Sequence, residues 1–344
     1  MTENKSPDER KFRAAVIGLG KQALEDHIPA IEAMDSVDLV AVAEIDSEKL
    51  AGFLKTHPNV QGYRDWNDIF KNHSLDFVVI VLPHHLHFEA AKDALTHNVH
   101  VFKEKPLAIS LKQGKELQKL ADEHKVKISV TLQRRFNPIY STFFQLIDKI
   151  GKPFYIDIKY TFFTEGPGDG WRGKKELAGG GCLLDMGYHI IDLLLWYFGL
   201  PDQVFAELSC DAQEHCVYNA EDTGQVIFKY AKNKMWGSLL VSRSIPPKQE
   251  YFNVYGTKGM IHIERGKIER FTASGVLQES LQRENSWPSA IQDQISYFLK
   301  VIVGEKENIS DPSFHFNHLA FIEAAYQSAE SHCYSEPKKF LANS

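Results

Sequence analysis

The sequence predicts an α/β chain with a doubly wound parallel sheet over residues 11–150, followed by an α+β domain over 151–344. Three observations carry this. Up to Ile150, short apolar runs of strand type alternate with helical patterns. A glycine-rich turn follows the first of those runs. Near Gly151 the pattern changes to alternation of period two, then to hairpins.

Taken in order, Phe12 to Ile17 (FRAAVI) reads as the first strand and stops at Gly18, and Lys21 to Met34 reads as helix. Leu39 to Ala43 and Phe77 to Leu82 are continuous apolar runs, as expected of strands covered on both faces. Ser47 to Thr56 is a helix capped by Asp46 or Ser47. Asp65 to Lys71 and Leu86 to Thr96 are helical, and Val99 to Phe102 is a strand. Ser110 caps a helix to His124, with Leu111, Leu117 and Leu120 as its apolar stripe, and Lys127 to Leu132 closes the series as a strand. After Gly151, residues Phe154, Ile156, Ile158 and Tyr160 alternate with Tyr155, Asp157, Lys159 and Thr161, so one face is covered. A glycine-rich stretch (Gly166 to Gly181) leads into an apolar helix, Leu183 to Phe198. Paired runs then flank the turns AKNK and GTKG, an antiparallel meander. Helices return at Ala290 to Val303 and near His315 to Ser331, the last expected to pack back on the first domain.

Composition narrows the function. The chain has 344 residues, 43% of them hydrophobic, enough for two folded domains. A net charge of −6 offers no basic field, so nucleic acid is not an expected partner. Four cysteines without a CxxC pair give neither a disulfide framework nor a zinc ribbon. The opening MTENKSPDERK has no apolar core, and no apolar run is long enough for a bilayer. The expectation is a soluble, cytoplasmic enzyme with no membrane partner and a disordered tail at residues 1–10.

Gly18-Leu19-Gly20-Lys21-Gln22-Ala23 is a GxGxxA sequence between a strand and a helix, the context of a dinucleotide fingerprint. Gly18 permits the tight turn, Gly20 lets the backbone approach a pyrophosphate, and Ala23 allows close helix–strand packing. Glu44 ends the second strand, where a carboxylate binds the ribose diol. With Asp46 close behind, a 2′-phosphate would meet two carboxylates, so NAD is favoured and NADP is the alternative. Asp46 itself reads better as a helix cap than as a ligand.

Two more segments fall at the carboxyl edge of the predicted sheet, where ligands bind: Pro83-His84-His85-Leu86-His87, and Lys103-Glu104-Lys105-Pro106. HHLH has no acidic or thiolate partner nearby and does not define a metal site. Lys105, if held against a cofactor, can polarise a carbonyl or pass a proton; from composition alone it is a loop charge. In the second domain, Gly179-Gly180-Gly181 precedes Asp185, His189 and Asp192, a polar stripe on an otherwise apolar helix. Asp185 can orient His189 at i,i+4, or the pair can be a satisfied core contact; Asp192 fits a supporting role.

Together, GxGxxA with His27-Ile28-Pro29-Ala30, the Pro83…His87 turn, Glu104-Lys105-Pro106 and GGG…Asp185…His189…Asp192 resemble the Gfo/Idh/MocA family of sugar and cyclitol oxidoreductases, over nearly the whole chain. The resemblance implies an NAD(P)-binding Rossmann domain and a second domain with an open, mostly antiparallel sheet. The substrate would lie between them, and the sheet face would form a homodimer or homotetramer. It implies hydride transfer to or from a secondary alcohol of a sugar, sugar derivative or cyclitol. His189 would be the general base, partnered by Asp185, and Lys105 would sit by the reacting carbon. Cofactor contacts are expected at Gly18, Leu19, Gly20, Lys21, Gln22, Ala23, Glu44, Pro83, His84, His87, Glu104 and Lys105. Substrate contacts are expected at Lys105, Arg135, Trp171, Arg172, Asp185 and His189; no metal is implied. Many members have Asn where this chain has His84. Some relatives are NAD-dependent glycoside hydrolases and others are cofactor-binding sensors, which are the two competing readings.

Overall fold

A computed structural model describes residues 10–214, 216–283 and 287–343. The segment expected to be a disordered tail lies outside these, apart from Arg10, which pairs with Asp76.

The first sheet orders β1 (Phe12–Ile17), β2 (Val37–Ala43), β3 (Gln61–Tyr63), β4 (Phe77–Ile80), β5 (His100–Lys103) and β6 (Ile128–Val130) as β3-β2-β1-β4-β5-β6. Every pairing in it is parallel. The order reverses between β1 and β4, which places the ligand crevice at the carboxyl ends of those two strands. Burial explains the unbroken apolar runs: Ala14, Val16, Phe77 and Val79 enter one core, and Ala15, Ile17, Val78 and Ile80 enter another. The β3 strand, three residues long, is too short to read from periodicity.

After Gly20 the chain turns at once into a wide π turn, Ala23–His27, continued by α1 (Ile28–Glu32). Pro29 has no N–H for a regular helical bond, and the widened turn ends where it enters. The other crossovers are α2 (Ser47–Thr56), α3 (Asn67–Asn72), α4 (His87–Thr96) and α5 (Leu111–His124). Asp46 caps α2 by accepting from the N–H groups of Glu48 and Lys49, as expected of it. Short helices α6 (Pro138–Ser141) and α7 (Phe143–Leu146) lead to the second layer.

That layer is an eight-stranded sheet of β7 (Pro153–Phe163), β8 (Gln203–Ser209), β9 (Thr223–Tyr230), β10 (Met235–Ser242), β11 (Ser244–Gly256), β12 (Gly259–Glu264), β13 (Lys267–Thr272) and β14 (Leu277–Gln282). Its order is β14-β13-β12-β11-β7-β10-β9-β8, antiparallel except for the β7–β10 pair. One face is buried through Ile156, Ile158, Val226, Phe228, Leu239, Phe252 and Val254. The short helix α8 (Lys175–Ala178) precedes the helix expected over Leu183 to Phe198, which is divided into α9 (Cys182–Asp185) and α10 (Gly187–Phe198) although Met186 between them keeps helical backbone angles.

The last helices cross back. From α11 (Trp287–Ile302), residues Ile291, Ile295, Phe298 and Leu299 complete one core of the first sheet. Along α12 (Pro312–Ser331), Leu319 and Ala320 enter the other core of the first sheet, while Phe321, Ile322, Ala324 and Ala325 enter the core of the second. From α13 (Pro337–Asn343), Phe340 packs on both. The two sheets are thereby held by one shared helix rather than by a linker, and this fixes the crevice between them.

Candidate active site

A cavity of about 950 Å³ runs along the carboxyl edge of the first sheet. At one end it is lined by Glu44, Ile45, Lys49 and Arg64, in the middle by Gly18, Gly20, Lys21 and Gln22, and at the other by Pro83, His84, Glu104, Lys105, Trp171 and Arg172.

The glycine turn fits a dinucleotide. Gly18 has φ +96°, and a β-carbon there would lie 2.2 Å from the Val81 carbonyl oxygen. Gly20 is different: nothing lies within 4 Å of where its β-carbon would be. Its absence of side chain clears space at the mouth of the helix, which is what a closely approaching pyrophosphate needs. Leu19 and Ala23, expected to touch the cofactor, are buried in the core and are not part of the cavity lining. Glu44 Oε2 accepts from the Leu19 N–H at 2.8 Å and its Oε1 from the Asp46 N–H at 3.0 Å. The carboxylate is thereby fixed against the glycine turn.

Glu104 ties the fingerprint to the Lys105 loop. Fully enclosed, its Oε1 accepts from Gln22 Nε2 at 2.9 Å and lies 2.9 Å from His27 Nε2, while Oε2 takes the Lys105 N–H at 3.2 Å. Burial raises its pKa, but the His27 hydrogen bond and the nearby Lys105 charge hold it below the usual range. Glu104 thus supports the loop from below and also reaches the cavity wall.

Lys105 and Asp185 meet across the crevice. Lys105 Nζ donates to Asp185 Oδ1 at 2.7 Å and to the Asp185 carbonyl at 2.9 Å. Arg172 Nε reaches Asp185 Oδ2 at 3.1 Å and its guanidinium lies over the Trp171 ring, 4.3 Å from the centroid. Trp171 in turn packs on His84, centroids 4.5 Å apart. Burial opposes the Asp185 charge, yet the cations led by Lys105 hold its carboxyl well below the usual range. His84 Nδ1 lies 2.9 Å from the Ala178 carbonyl, so the proton sits there and Nε2 faces Asp185 at 3.7 Å without one. Burial drives His84 down to about 3, so it is neutral at pH 7.

Several expected contacts fall elsewhere. Asp185 does not bond His189: both carboxylate oxygens are drawn to Lys105 and Arg172. His189 is half-buried and outside the cavity lining; its ring has no hydrogen-bond partner among the described residues. Burial, reinforced by the charges of Lys105 and Arg134, holds it well below the usual histidine range. Asp192 does not support His189 but binds Arg135 Nη2 at 2.7 Å and His318 Nε2 at 2.9 Å. Arg135, expected at the substrate, is consumed by that buried pair and by the Ile309 carbonyl. Arg134 pairs with Glu250.

His87, expected against the cofactor, lies fully buried beneath the loops. Its Nε2 reaches the Leu82 carbonyl at 2.8 Å, leaving Nδ1 to accept from Lys103 Nζ at 3.0 Å. Lys103 also donates to the carbonyls of Glu104, Pro106 and Leu107, and burial lowers its pKa to about 7. This pair staples the His84 turn to the Lys105 loop.

Sequence reasoning missed other supports. Glu221 accepts from the N–H groups of Gly181 and Leu183 at 2.7 and 3.1 Å and from the Tyr326 hydroxyl at 2.9 Å. A β-carbon at Gly180 would lie 1.9 Å from the Tyr326 hydroxyl oxygen, and one at Gly181 2.0 Å from the Glu221 carbonyl. Tyr326 and Glu221 thus explain Gly180 and Gly181, while Gly179 has φ +78° and would meet Ile109; no local signal marks these partners. Arg64, Lys49, Asp26 and Trp66 line the cavity and likewise carried no motif. Among the described residues no cluster of histidine, cysteine and acidic side chains can hold a metal ion. Among the described residues no helix is long and apolar enough to cross a membrane.

A cleared glycine turn beside a strand-end carboxylate, with a lysine–carboxylate pair at the far end, defines a nicotinamide-dependent oxidoreductase. Comparison with known families agrees. Residues 12–132 match the oxidoreductase family model with an NAD-binding Rossmann fold, and residues 142–262 match the Gfo/Idh/MocA C-terminal domain. The chain belongs to the Gfo/Idh/MocA family of NAD-binding oxidoreductases.

It is 24% identical over 321 residues to the scyllo-inositol 2-dehydrogenase (NADP(+)) IolW of Bacillus subtilis, covering 90% of this chain and 84% of that one. Its fold is similar to that of a levoglucosan dehydrogenase solved with NADH and levoglucosan, with TM-score 0.84, 20% identity and coverage of 95% of this chain and 99% of the other. A similar likeness holds for the aldose-aldose oxidoreductase of Caulobacter crescentus, with TM-score 0.82, 22% identity and coverage of 95% and 100%.

Proposed function

We propose that this chain transfers a hydride between a nicotinamide cofactor and a secondary alcohol of a sugar, sugar derivative or cyclitol. The observation that carries this is the Lys105 ammonium, fixed 2.7 Å from Asp185 at the inner end of the dinucleotide cavity. The polyol relatives add weight to the substrate class.

When bound, the nicotinamide takes or gives the hydride, and that chemistry is the cofactor's own. Gly18 and Gly20 would receive the pyrophosphate, Glu44 the adenosine ribose, and Pro83 and His84 the nicotinamide end. The protein's part is proton control. His189, kept neutral by burial, accepts the hydroxyl proton in the oxidation direction. Lys105 stabilises the oxygen anion that develops as the proton leaves. Asp185 acts on Lys105 rather than on His189: it fixes the position of the ammonium. Arg172 and Trp171 cover the same end and exclude water.

The test is NADH or NADPH formation against inositols, aldoses, levoglucosan and sugar phosphates. Steady production with at least one polyol is the expected result. Release of aglycone from glycosides without accumulation of NADH would replace this reading by glycoside hydrolysis. Tight cofactor binding without turnover on any polyol would replace it by a sensor.

A second copy is the proposed partner of the open sheet face. There Tyr155 packs between Trp236 and Tyr255, ring centroids 4.7 and 5.8 Å away, and Trp236 is 49% exposed. Light scattering is expected to give a dimer or tetramer, and Trp236→Glu a smaller species with the fold retained.

A further inference from the structure

We propose that Arg64 is a second recognition residue for the cofactor, receiving the 2′-phosphate of NADP, so that the cavity accepts both nicotinamide dinucleotides. The inference rests on the cofactor site and not on the substrate reading.

In sequence, Glu44 and Asp46 argue against a 2′-phosphate. The structure turns both carboxylates away from that task. Each Glu44 oxygen already accepts a backbone N–H, from Leu19 and from Asp46. Asp46 caps α2 through the N–H groups of Glu48 and Lys49. Asp65, the third carboxylate nearby, accepts from the backbone and side-chain amides of Asn67. All three are tied up by local hydrogen bonds but keep their charge, so a phosphate there needs a free cation beside it.

Arg64 arrives from a different strand. The parallel β2–β3 register aligns Ala43 with Tyr63, and the Glu44 N–H donates to the Tyr63 carbonyl. Arg64 therefore emerges beside Glu44 at the sheet edge, and its Nε donates to the Ile45 carbonyl at 3.3 Å. That bond engages one of its nitrogens and leaves the two terminal ones to face solvent at the cavity wall. The cavity has five lysine and arginine side chains in its lining. Lys21 pairs with Glu25, Lys49 with Asp46, and Lys105 and Arg172 with Asp185. Among the described residues Arg64 alone of the five has no ion pair. An arginine fork with free terminal nitrogens beside the ribose position is suited to a phosphate monoester.

The experiment is equilibrium titration of the full chain with NADH and NADPH, and with the fragments 5′-AMP and 2′,5′-ADP, which differ by the 2′-phosphate. The expected result is binding of both dinucleotides. Arg64→Ala should weaken NADPH and 2′,5′-ADP by about tenfold, as for loss of one charge-assisted contact, and leave NADH and 5′-AMP within about twofold. Arg64→Lys should recover part of the loss, and added salt should weaken the phosphorylated ligands more than their partners. Equal weakening of all four ligands in Arg64→Ala overturns the assignment. So does wild-type protein that binds NADH but neither NADPH nor 2′,5′-ADP, a result that leaves the oxidoreductase reading intact. Absence of binding by any of the four would instead contradict the cofactor site itself.

Discussion

Lys105→Ala and His189→Ala should each lower kcat by about two to four orders of magnitude while NADH binding stays within a few fold. Neither side chain contributes to the glycine turn or to Glu44, so the cofactor's main anchors survive. Single-turnover kinetics and a cofactor titration on the same preparations separate the two effects. Full turnover in either variant would end the proposed mechanism. Lys105→Ala also leaves Asp185 with Arg172 as its remaining cation, so Lys105→Arg is the companion variant, retaining charge but not geometry. The pH profile adds an independent check. Because burial and the positive charges of Lys105 and Arg134 hold His189 down, its neutral form persists as pH falls through the ordinary histidine range. In the oxidation direction kcat/KM should therefore stay level through pH 6.5 and fall only at lower pH. A break at 6.5 would place the titrating base elsewhere.

The two glycines of the fingerprint should respond in opposite ways. Gly18→Ala forces a β-carbon to within 2.2 Å of the Val81 carbonyl at a backbone φ of +96°. The clash is with backbone and the φ is one that side chains rarely adopt, so a loss of upwards of about 3 kcal/mol in stability is expected. A β-carbon at Gly20 has nothing within 4 Å, so Gly20→Val should leave the unfolding midpoint nearly unchanged. Its branched side chain would occupy the space cleared for the pyrophosphate, and cofactor affinity should fall at least about a hundredfold. Thermal melts with and without NADH check both, since a bound ligand raises the midpoint only where it still binds. A Gly20→Val protein that keeps the full NADH-induced shift would show that the phosphates bind elsewhere.

The residues that were legible in the sequence share one property: their roles are local. Gly18 and Gly20 act through their own backbone, Asp46 caps the helix it begins, and Lys105 lies on the loop that leaves β5 at the sheet edge. The parallel sheet was legible because its strands, covered on both faces, read as unbroken apolar runs, and the second sheet because β7 alternates. Where two distant residues compete for one partner, the reading went astray. The spacing of Asp185 and His189 suggested a dyad, but Lys105, 80 residues earlier, takes the carboxylate. Arg135 looked available until Asp192, itself held by His318, closed on it. His87 looked like a cofactor contact, yet Lys103 and the Leu82 carbonyl hold it underneath.

By itself, then, the sequence determined the order of elements, the cofactor turn and the identity of the lysine at the far end of the crevice. Those follow from short-range rules: residue period, turn stereochemistry and what a strand end exposes. The tertiary structure decided which charge neutralises which, and it did so through α12, whose two sides belong to different cores and hold the sheets at one separation. Only at that separation do Lys105 and Asp185 come within hydrogen-bonding distance, and only the β2–β3 register brings Arg64 beside Glu44. Ion pairing depends on distance through space, and a chain sequence carries that distance only after it has folded.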